Sequence, residues 1–240
     1  MELLINKTMT LDDLRLPEVA AEARRLKRLT LGMWLRRIPF AVNGVLKWRF
    51  YVRRHKLWEY ARGMAYGDFQ KGMRVLDFGG AATLPIFHLA RLGCDVLSLD
   101  IDQKLTDYTN AVAGRHHWPL RASTHDLTAA EAPADWGRFD RVISFCVIEH
   151  IPKALQPKAM ERLASLLKPG GMFQLTFDFG EDAPVDGALR DVAEVSGLVA
   201  ASGLGLAGNP QFVDTGERFA IDKKHPDRRF TFGSLFLRKG

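Results

Sequence analysis

The segment from Arg74 to Asp100 constrains the fold more than any other part of this chain of 240 residues. It runs from Arg74-Val-Leu-Asp-Phe through Gly79-Gly80-Ala-Ala-Thr83 and an apolar stretch to Val-Leu-Ser-Leu-Asp100. This order predicts a strand, a tight turn, a helix and a second strand with an acid at its tip, as in nucleotide-binding parallel sheets. Glycines let the backbone approach a ligand, the helix start offers N–H groups, and the carboxylate can accept hydrogen bonds from a ribose diol.

The residues of the turn discriminate between two classes of cofactor. Dinucleotide-binding folds use the spacing G-x-G-x-x-G, which fails here because only Gly79 and Gly80 are glycines before Leu84. Asp77 stands two residues before the first glycine, where a carboxylate would disfavour a pyrophosphate and suit a cationic ligand. The turn therefore favours a sulfonium cofactor and argues against an NAD-dependent oxidoreductase.

With these residues the chain resembles the class I methyltransferases that use S-adenosylmethionine, whose first motif reads approximately V-L-D-x-G-x-G-x-G. Val75, Leu76, Asp77 and Gly79 match that motif, whereas alanine and threonine, at positions 81 and 83, replace its second and third glycines. Later segments follow the order of the family over roughly residues 56–180. They are a third strand ending at Asp126, a fourth strand followed by Glu149-His150, and a stretch at 167–177 with a helix end, a Pro-Gly-Gly turn and a fifth strand. In addition, the run 229–239 suits the last, antiparallel strand of the family.

The resemblance implies an α/β fold: a doubly wound, seven-stranded, mostly parallel sheet with an antiparallel last strand and an N-terminal helical cap. We expect the cap to span residues 1–66 and the methyltransferase domain residues 67–240. The implied cofactor is S-adenosyl-L-methionine. The residues expected to bind it are Asp77, Phe78, Gly79, Gly80, Ala81, Asp100, Ile101, Asp126, Leu127, Phe145 and Cys146.

His150 is the leading candidate for a general base, because it follows the fourth strand at the carboxyl edge of the predicted sheet, where ligands bind. In a second interpretation it packs beside the cofactor and moves no proton. Glu149 would orient His150 or interact with the start of the next helix, and Asp178, after the fifth strand, is an alternative base. We expect no metal site, because the remaining histidines show no ligand spacing.

The N-terminal region is strongly basic. Residues 1–72 carry 15 Lys or Arg against 7 Asp or Glu, while the other residues carry 19 against 21. Eleven basic residues and no acid lie between Ala23 and Trp58, interleaved with aromatic residues, and the apolar spacing predicts two amphipathic helices broken near Pro39 and Gly44. Three interpretations remain open: a solvated basic face, a lid for an acidic or phosphate-bearing acceptor, and a helix lying on an anionic membrane.

These observations predict an enzyme, a methyltransferase acting on a small molecule such as a sugar, a lipid or a biosynthetic intermediate, with O-methylation favoured. The alternatives are a catalytically weak cofactor-binding protein that docks on a membrane or partner through its basic arm, and an RNA methyltransferase. Nucleic acid is not favoured, because the D/N-P-P-aromatic sequence of base-amine methylation is absent after the fourth strand. Two cysteines without metal spacing suit a cytoplasmic location, with peripheral contact at the inner membrane face left open. The sequence does not address the oligomeric state.

Overall fold

The computed structural model describes residues 5–222 and 225–240. Its helices are α1 (Pro17–Leu35), α2 (Arg54–Tyr66), α3 (Leu84–Leu92), α4 (Gln103–His116), α5 (Gln156–Ser165) and α6 (Val192–Ser202). Its strands are β1 (Lys7–Thr8), β2 (Phe40–Val42), β3 (Val45–Lys47), β4 (Arg74–Phe78), β5 (Asp95–Asp100), β6 (Leu120–Thr124), β7 (Phe139–Phe145), β8 (Leu167–Phe179), β9 (Gly205–Leu206) and β10 (Thr231–Arg238).

The chain divides into two compact units. The glycine-loop unit comprises Asp12–Asp126 and Phe139–Ile143, and the C-terminal unit comprises the residues up to Leu11, Leu127–Arg138 and Ser144–Gly240. Residues distant in sequence therefore belong to the same unit.

The glycine-loop unit is built on parallel strands. β4 pairs in parallel with β5 on one side and with β7 on the other, and β5 pairs in parallel with β6. Helices α3 and α4 connect β4 to β5 and β5 to β6, as parallel pairing requires, because a crossover must return the chain to the same sheet end. The buried residues of β4 and β5 form near-continuous apolar runs, the pattern of strands covered on both faces.

The C-terminal unit is built on antiparallel pairs. β10 pairs with β8 along its whole length, from Thr231 opposite Phe179 to Arg238 opposite Met172, and the two-residue strands β1 and β9 also pair with β10. The predicted α/β class, with mostly parallel strands and an antiparallel last strand, is confirmed. The sequence pattern did not mark β1 and β9, because strands of two residues are too short to show an alternating pattern.

The Pro169-Gly170-Gly171 segment differs from its prediction as a helix end and turn. The strand β8 runs through it from Leu167, and Gly170 adopts a φ of 71° that a residue with a side chain rarely takes. Gly170 donates its N–H to the Lys239 carbonyl oxygen at 3.0 Å, and Lys239 donates to the Gly171 carbonyl oxygen at 3.0 Å. Pairing with the distant end of the chain, which the local sequence does not reveal, therefore keeps this segment in the strand.

The prediction of a second amphipathic helix with apolar residues from Val45 to Val52 is wrong. Val45–Lys47 instead forms β3, which pairs with β2 in a hairpin whose two-residue turn is Asn43-Gly44, with φ values of 51° and 69°. Two positive φ values in a two-residue turn define the type I′ geometry, for which Asn-Gly is the preferred sequence. Helical structure resumes only at α2, so the signal for a hairpin was present in the sequence and outweighed the helical spacing.

Candidate functional site

The turn after β4 brings the first glycines against the predicted acids. The Gly79 N–H donates to the Leu99 carbonyl oxygen at 2.7 Å, which holds the turn over the end of β5. A Cβ at Gly80 would overlap the carboxylate of Asp77. A side chain at position 80 is therefore incompatible with this arrangement, and the close approach of the backbone explains the second glycine.

Asp77 lies beneath the turn, with 1% of its surface exposed. Its carboxylate accepts hydrogen bonds from the Ser98 hydroxyl at 2.6 Å and from the Gly80 N–H. Burial raises the pKa of this carboxyl from 3.8 to about 7, against the opposing effect of the two hydrogen bonds. The sequence did not indicate Ser98, whose only signal was its place opposite Asp77 in the predicted second strand.

Asp100 lies at the tip of β5 and is partly exposed. One carboxylate oxygen accepts a hydrogen bond from the Ala81 N–H at 3.2 Å, and the other accepts one from the Asp102 N–H at 3.0 Å. Burial is the main cause that raises the pKa of Asp100. Because each carboxylate oxygen can accept more than one hydrogen bond, this group retains capacity for a diol.

Thr83 shows how the turn accommodates a departure from the family motif, and the neighbouring Ala82 connects the turn to the hairpin. The Thr83 hydroxyl donates to the Gly80 carbonyl oxygen at 2.6 Å, and the Thr83 N–H donates to the same oxygen at 3.1 Å. The Ala82 carbonyl oxygen accepts the Ala41 N–H of β2 at 2.7 Å. Threonine thus closes the turn by its own hydrogen bond, and the hairpin contacts the loop directly, which the sequence did not predict.

The other predicted cofactor residues differ in exposure. Phe78 and Ala81 are buried beside the turn, whereas Ile101 is 76% exposed and Asp126 is exposed. In the C-terminal unit Leu127 is buried, and Phe145 and Cys146 are partly buried.

The C-terminal unit brings Cys146, Glu149 and Asp178 together. The sulfur of the cysteine and one oxygen of each carboxylate lie within 4.8 Å of one another, and both carboxylates are buried. His150, on the short helix Ile148–His150, is exposed. Two of the three predicted catalytic residues are therefore adjacent to a predicted cofactor residue. These ligand types are compatible with a cation, but our expectation of no metal site stays a prediction.

Two residues that the sequence did not indicate hold the turn that carries Glu149 and His150. The side-chain N–H₂ of Gln156, a buried residue, donates to the carbonyl oxygens of Ile148 at 2.9 Å, Ile151 at 3.2 Å and Gly187 at 2.7 Å. A Cβ at Gly187 would overlap the Glu149 carbonyl oxygen. The position of the turn thus depends on the nearby Gln156 and on Gly187, which is distant in sequence.

Comparison with known proteins identifies the region that contains most of these residues. Residues 75–171 match the family model described as a methyltransferase domain. This stretch includes the glycine turn, Asp100, Cys146 and the Glu149-His150 pair. Over this stretch the chain is similar to the class I methyltransferases. The predicted family and its cofactor, S-adenosylmethionine, are confirmed.

Relatives and solved structures agree with this family. A ubiquinone biosynthesis O-methyltransferase of Roseobacter denitrificans is 35% identical over 117 residues, which cover 48% of this chain and 44% of that protein. The chain thus spans less than half the length of the curated relatives it matches. TehB of Haemophilus influenzae matches with a TM-score of 0.59 at 15% identity, over 76% of this chain and 67% of TehB. The [4+2]-cyclase SpnF matches with a TM-score of 0.61 at 15% identity, over 92% and 96% of the two chains. At these identities the two structures show the shared fold.

The donor and acceptor groups of the methyltransferase domain fit the cofactor. Ala81 is small, and the Asp100 carboxylate lies at the strand tip with acceptor capacity for a ribose. The individual assignments of cofactor and catalytic residues stay predictions.

Proposed function

We propose that this protein is an S-adenosylmethionine-dependent O-methyltransferase of a small molecule, with a biosynthetic intermediate as the acceptor. The observation that carries the proposal is the match of residues 75–171 to a methyltransferase domain. The names of the curated relatives, which are O-methyltransferases, support it. The choice of oxygen as the acceptor atom and of a biosynthetic intermediate as the acceptor follows the names of those relatives.

In this proposal the glycine-loop unit binds the cofactor. Asp100 accepts hydrogen bonds from the ribose hydroxyls, Asp126 contacts the adenine, and the backbone of Gly79 to Ala81 lies against the remainder. When bound, the cofactor supplies a methyl group activated by a sulfonium centre. Asp77 organises the turn through Ser98 and Gly80, and its negative charge, when ionised, favours a cationic ligand.

Three predicted residues are assigned to the chemistry on the acceptor. We assign His150 the removal of the hydroxyl proton, because it is exposed and a neutral imidazole can accept a proton near neutral pH. Glu149 holds the turn and orients His150, and Asp178 is the alternative base. A positioned base contributes typically about 10²- to 10⁴-fold in rate, and the alignment of the reacting atoms contributes more.

The proposal includes the charge of the acceptor and the location of the enzyme in the cell. The predicted cap of residues 1–66 supplies the basic side chains, and the acceptor is acidic or carries a phosphate that these cations attract. Both cysteines are free thiols, which suits a cytoplasmic enzyme, and we propose peripheral contact with the inner membrane face. In the described part of the chain, no helix has both the length and the apolarity needed to cross a bilayer.

The test of this function is transfer of a labelled methyl group into a cell extract, followed by separation of small molecules, lipids, RNA and protein. The proposal is supported if the small-molecule or lipid fraction contains a labelled product that carries the label as a methyl ether. Asp100→Ala should abolish labelling at limiting cofactor and weaken cofactor affinity at least tenfold by calorimetry. Asp95→Ala, at the opposite end of the same strand β5, should leave both unchanged. Equal affinity of the two variants would remove the ribose assignment.

Two alternatives give different results in the same experiment. The structural likeness to a protein named as a cyclase indicates that this fold is compatible with other chemistry, so a protein that binds the cofactor without transferring methyl groups is the second candidate. It predicts cofactor binding with no labelled product in any fraction. Label confined to the RNA fraction and lost after ribonuclease treatment would identify an RNA methyltransferase instead.

A further inference from the structure

The C-terminal end of α1 and the hairpin beside it expose an unusual amount of apolar surface. Six side chains are between 48% and 66% exposed, and we call them the apolar patch: Leu31, Leu35, Val45, Trp48, Phe50 and Tyr51. They lie within a stretch of 21 residues of the glycine-loop unit, counted from 31 to 51. Exposed apolar residues clustered in this way mark an interaction surface more often than single exposed residues do.

The patch is held in a defined conformation. The ring of Trp34 stacks on that of Trp48 with centroids 5.7 Å apart, and the Trp48 indole N–H donates to the Trp34 carbonyl oxygen at 2.9 Å. The Thr30 hydroxyl donates to the Phe50 carbonyl oxygen at 3.1 Å. These contacts connect the hairpin and the residues after it to α1, so its exposed aromatic rings are presented by a packed framework.

Positive charge surrounds the patch. Eleven basic residues and no acid lie between Ala23 and Trp58, and most of these basic side chains are exposed. Two of them pair with glutamates just outside the stretch, Arg25 with Glu22 and Lys56 with Glu59. On α1 the exposed positions 24, 28, 31 and 35 follow one helical face, where two arginines precede two leucines. A helix with cations and exposed leucines on one face, next to tryptophan and phenylalanine, has the composition of a segment that lies in a membrane interface.

A cleft beside the patch adds a place for an anion. It has a volume of about 190 Å³ and is lined by Met33, Arg36, Ile38, Arg91, His116 and Trp118. Arg36 directly follows α1 and therefore belongs both to the edge of the patch and to the cleft. Two guanidinium groups that line one cleft suit a phosphate oxygen, since arginine donates several hydrogen bonds in a fixed fork.

We propose that this face docks on an anionic phospholipid bilayer, with the apolar patch inserted among the lipids and a headgroup phosphate bound between Arg36 and Arg91. Charge complementarity supports a lipid surface, because basic side chains near an anionic leaflet are attracted to its headgroups. The three aliphatic members of the patch favour lipid over nucleic acid, since they offer no ring for stacking against bases. The inference names the surface for the membrane contact proposed above and does not depend on methyl transfer.

Sedimentation with vesicles tests the proposal on the full chain. We expect binding to vesicles that contain phosphatidylglycerol, and little binding to vesicles of phosphatidylcholine alone. The double variant Leu35→Ser, Phe50→Ser should lower the partition coefficient tenfold or more, and Arg36→Glu should lower it for anionic vesicles in particular. The matched controls are Val192→Ser, an exposed apolar residue on α6, and Lys158→Glu, an exposed cation on α5, and both should bind as the unchanged protein does.

Three outcomes would overturn the proposal. They are equal binding of patch variants and controls, complete release by an excess of soluble glycerol phosphate, and tighter binding to single-stranded RNA than to anionic vesicles at the same salt concentration. Soluble glycerol phosphate should compete only for the cleft, because insertion of the patch continues to hold the protein on the bilayer. Since no step measures methyl transfer, failure of this proposal and failure of the proposed function are distinguishable.

Discussion

At the scale of single residues, Asp77 illustrates how one side chain can match a family motif and have a structural role. The sequence placed a carboxylate before the glycine and favoured a cationic ligand. The structure adds that this carboxylate is buried and hydrogen-bonded to Ser98 and Gly80. Only the tertiary contact of β4 with β5 brings Ser98 to it, because the two residues lie on different strands.

The raised pKa of Asp77 predicts a pH dependence of stability. The ordinary carboxyl pKa is 3.8 and the folded value is about 7, so between these limits the folded state binds a proton that the unfolded state lacks. The free energy of unfolding should therefore fall as the pH rises from about 4 to about 7, by roughly 4 kcal/mol in total from this group. Urea unfolding across this range measures the effect.

Asp77→Asn isolates that contribution, because the amide does not titrate. The substitution also lowers the stability by an amount that does not depend on pH, because its amide faces the Gly80 N–H. This constant loss leaves the slope of the unfolding free energy against pH unaffected. The variant should lose less stability than the unchanged protein as the pH rises through the same range. Identical slopes for the two proteins would show that the Asp77 carboxyl is already ionised at low pH in the folded state.

His150 and Asp178 are separable as bases by substitution. If His150 removes the acceptor proton, His150→Ala should lower the turnover number by about 10²- to 10⁴-fold while the cofactor affinity changes little. Asp178→Asn should then have the smaller effect, and His225→Ala, at an exposed histidine of the same unit, should have none. A fully active His150→Ala with an inactive Asp178→Asn would assign the proton transfer to the carboxylate.

At the scale of secondary-structure elements, the turn at Ile148–His150 depends on a loop that is remote in sequence. The Gln156 side chain donates to three carbonyl oxygens, one of which belongs to Gly187, and the backbone of that glycine lies against the Glu149 carbonyl. Local sequence predicts the turn after β7 but not the loop that supports it.

Gly187→Ala tests this support. Its methyl group would overlap the carbonyl oxygens of Glu149 and Ile151, so we expect a loss of about 1–3 kcal/mol in unfolding free energy and a strong loss of turnover. Gly197→Ala is the matched control in α6, because nothing lies within 4 Å of its added Cβ. That change should stabilise the protein by about 0.5–1 kcal/mol. Unchanged stability and activity of Gly187→Ala would show that the turn can move without consequence.

At the scale of the whole molecule, charge and family resemblance occupy different parts of the chain. Residues 1–72 carry a net charge of +8 and the others −2, from the counts of 15 against 7 and 19 against 21. The match to the methyltransferase domain begins at residue 75. The basic region thus lies outside the part of the chain that the family model explains, and its function has to be argued from its own surface.

The two regions are nevertheless connected in the structure. The Ala41 N–H of the hairpin donates to the Ala82 carbonyl oxygen of the glycine turn, and the Tyr108 hydroxyl of α4 donates to the Pro39 carbonyl oxygen. The hairpin and its neighbours in the basic region therefore pack directly on the elements that carry candidate cofactor residues, within the glycine-loop unit. Changes in the hairpin can reach the cofactor turn through a single hydrogen bond.

By itself, the sequence determined the α/β class, the order of the parallel strands along the chain and the acids at their ends. Strands, turns and strand-tip acids leave local patterns in the sequence. It did not determine the hairpin at Asn43-Gly44, the continuation of β8 through Pro169-Gly170-Gly171, or the contacts of Ser98, Gln156 and Gly187. Tertiary structure decided these, because each depends on a partner far along the chain or on competition between two local signals. Tertiary structure also decided the cluster of Cys146, Glu149 and Asp178, whose ligand atoms lie within 4.8 Å of one another although the residues are distant in sequence.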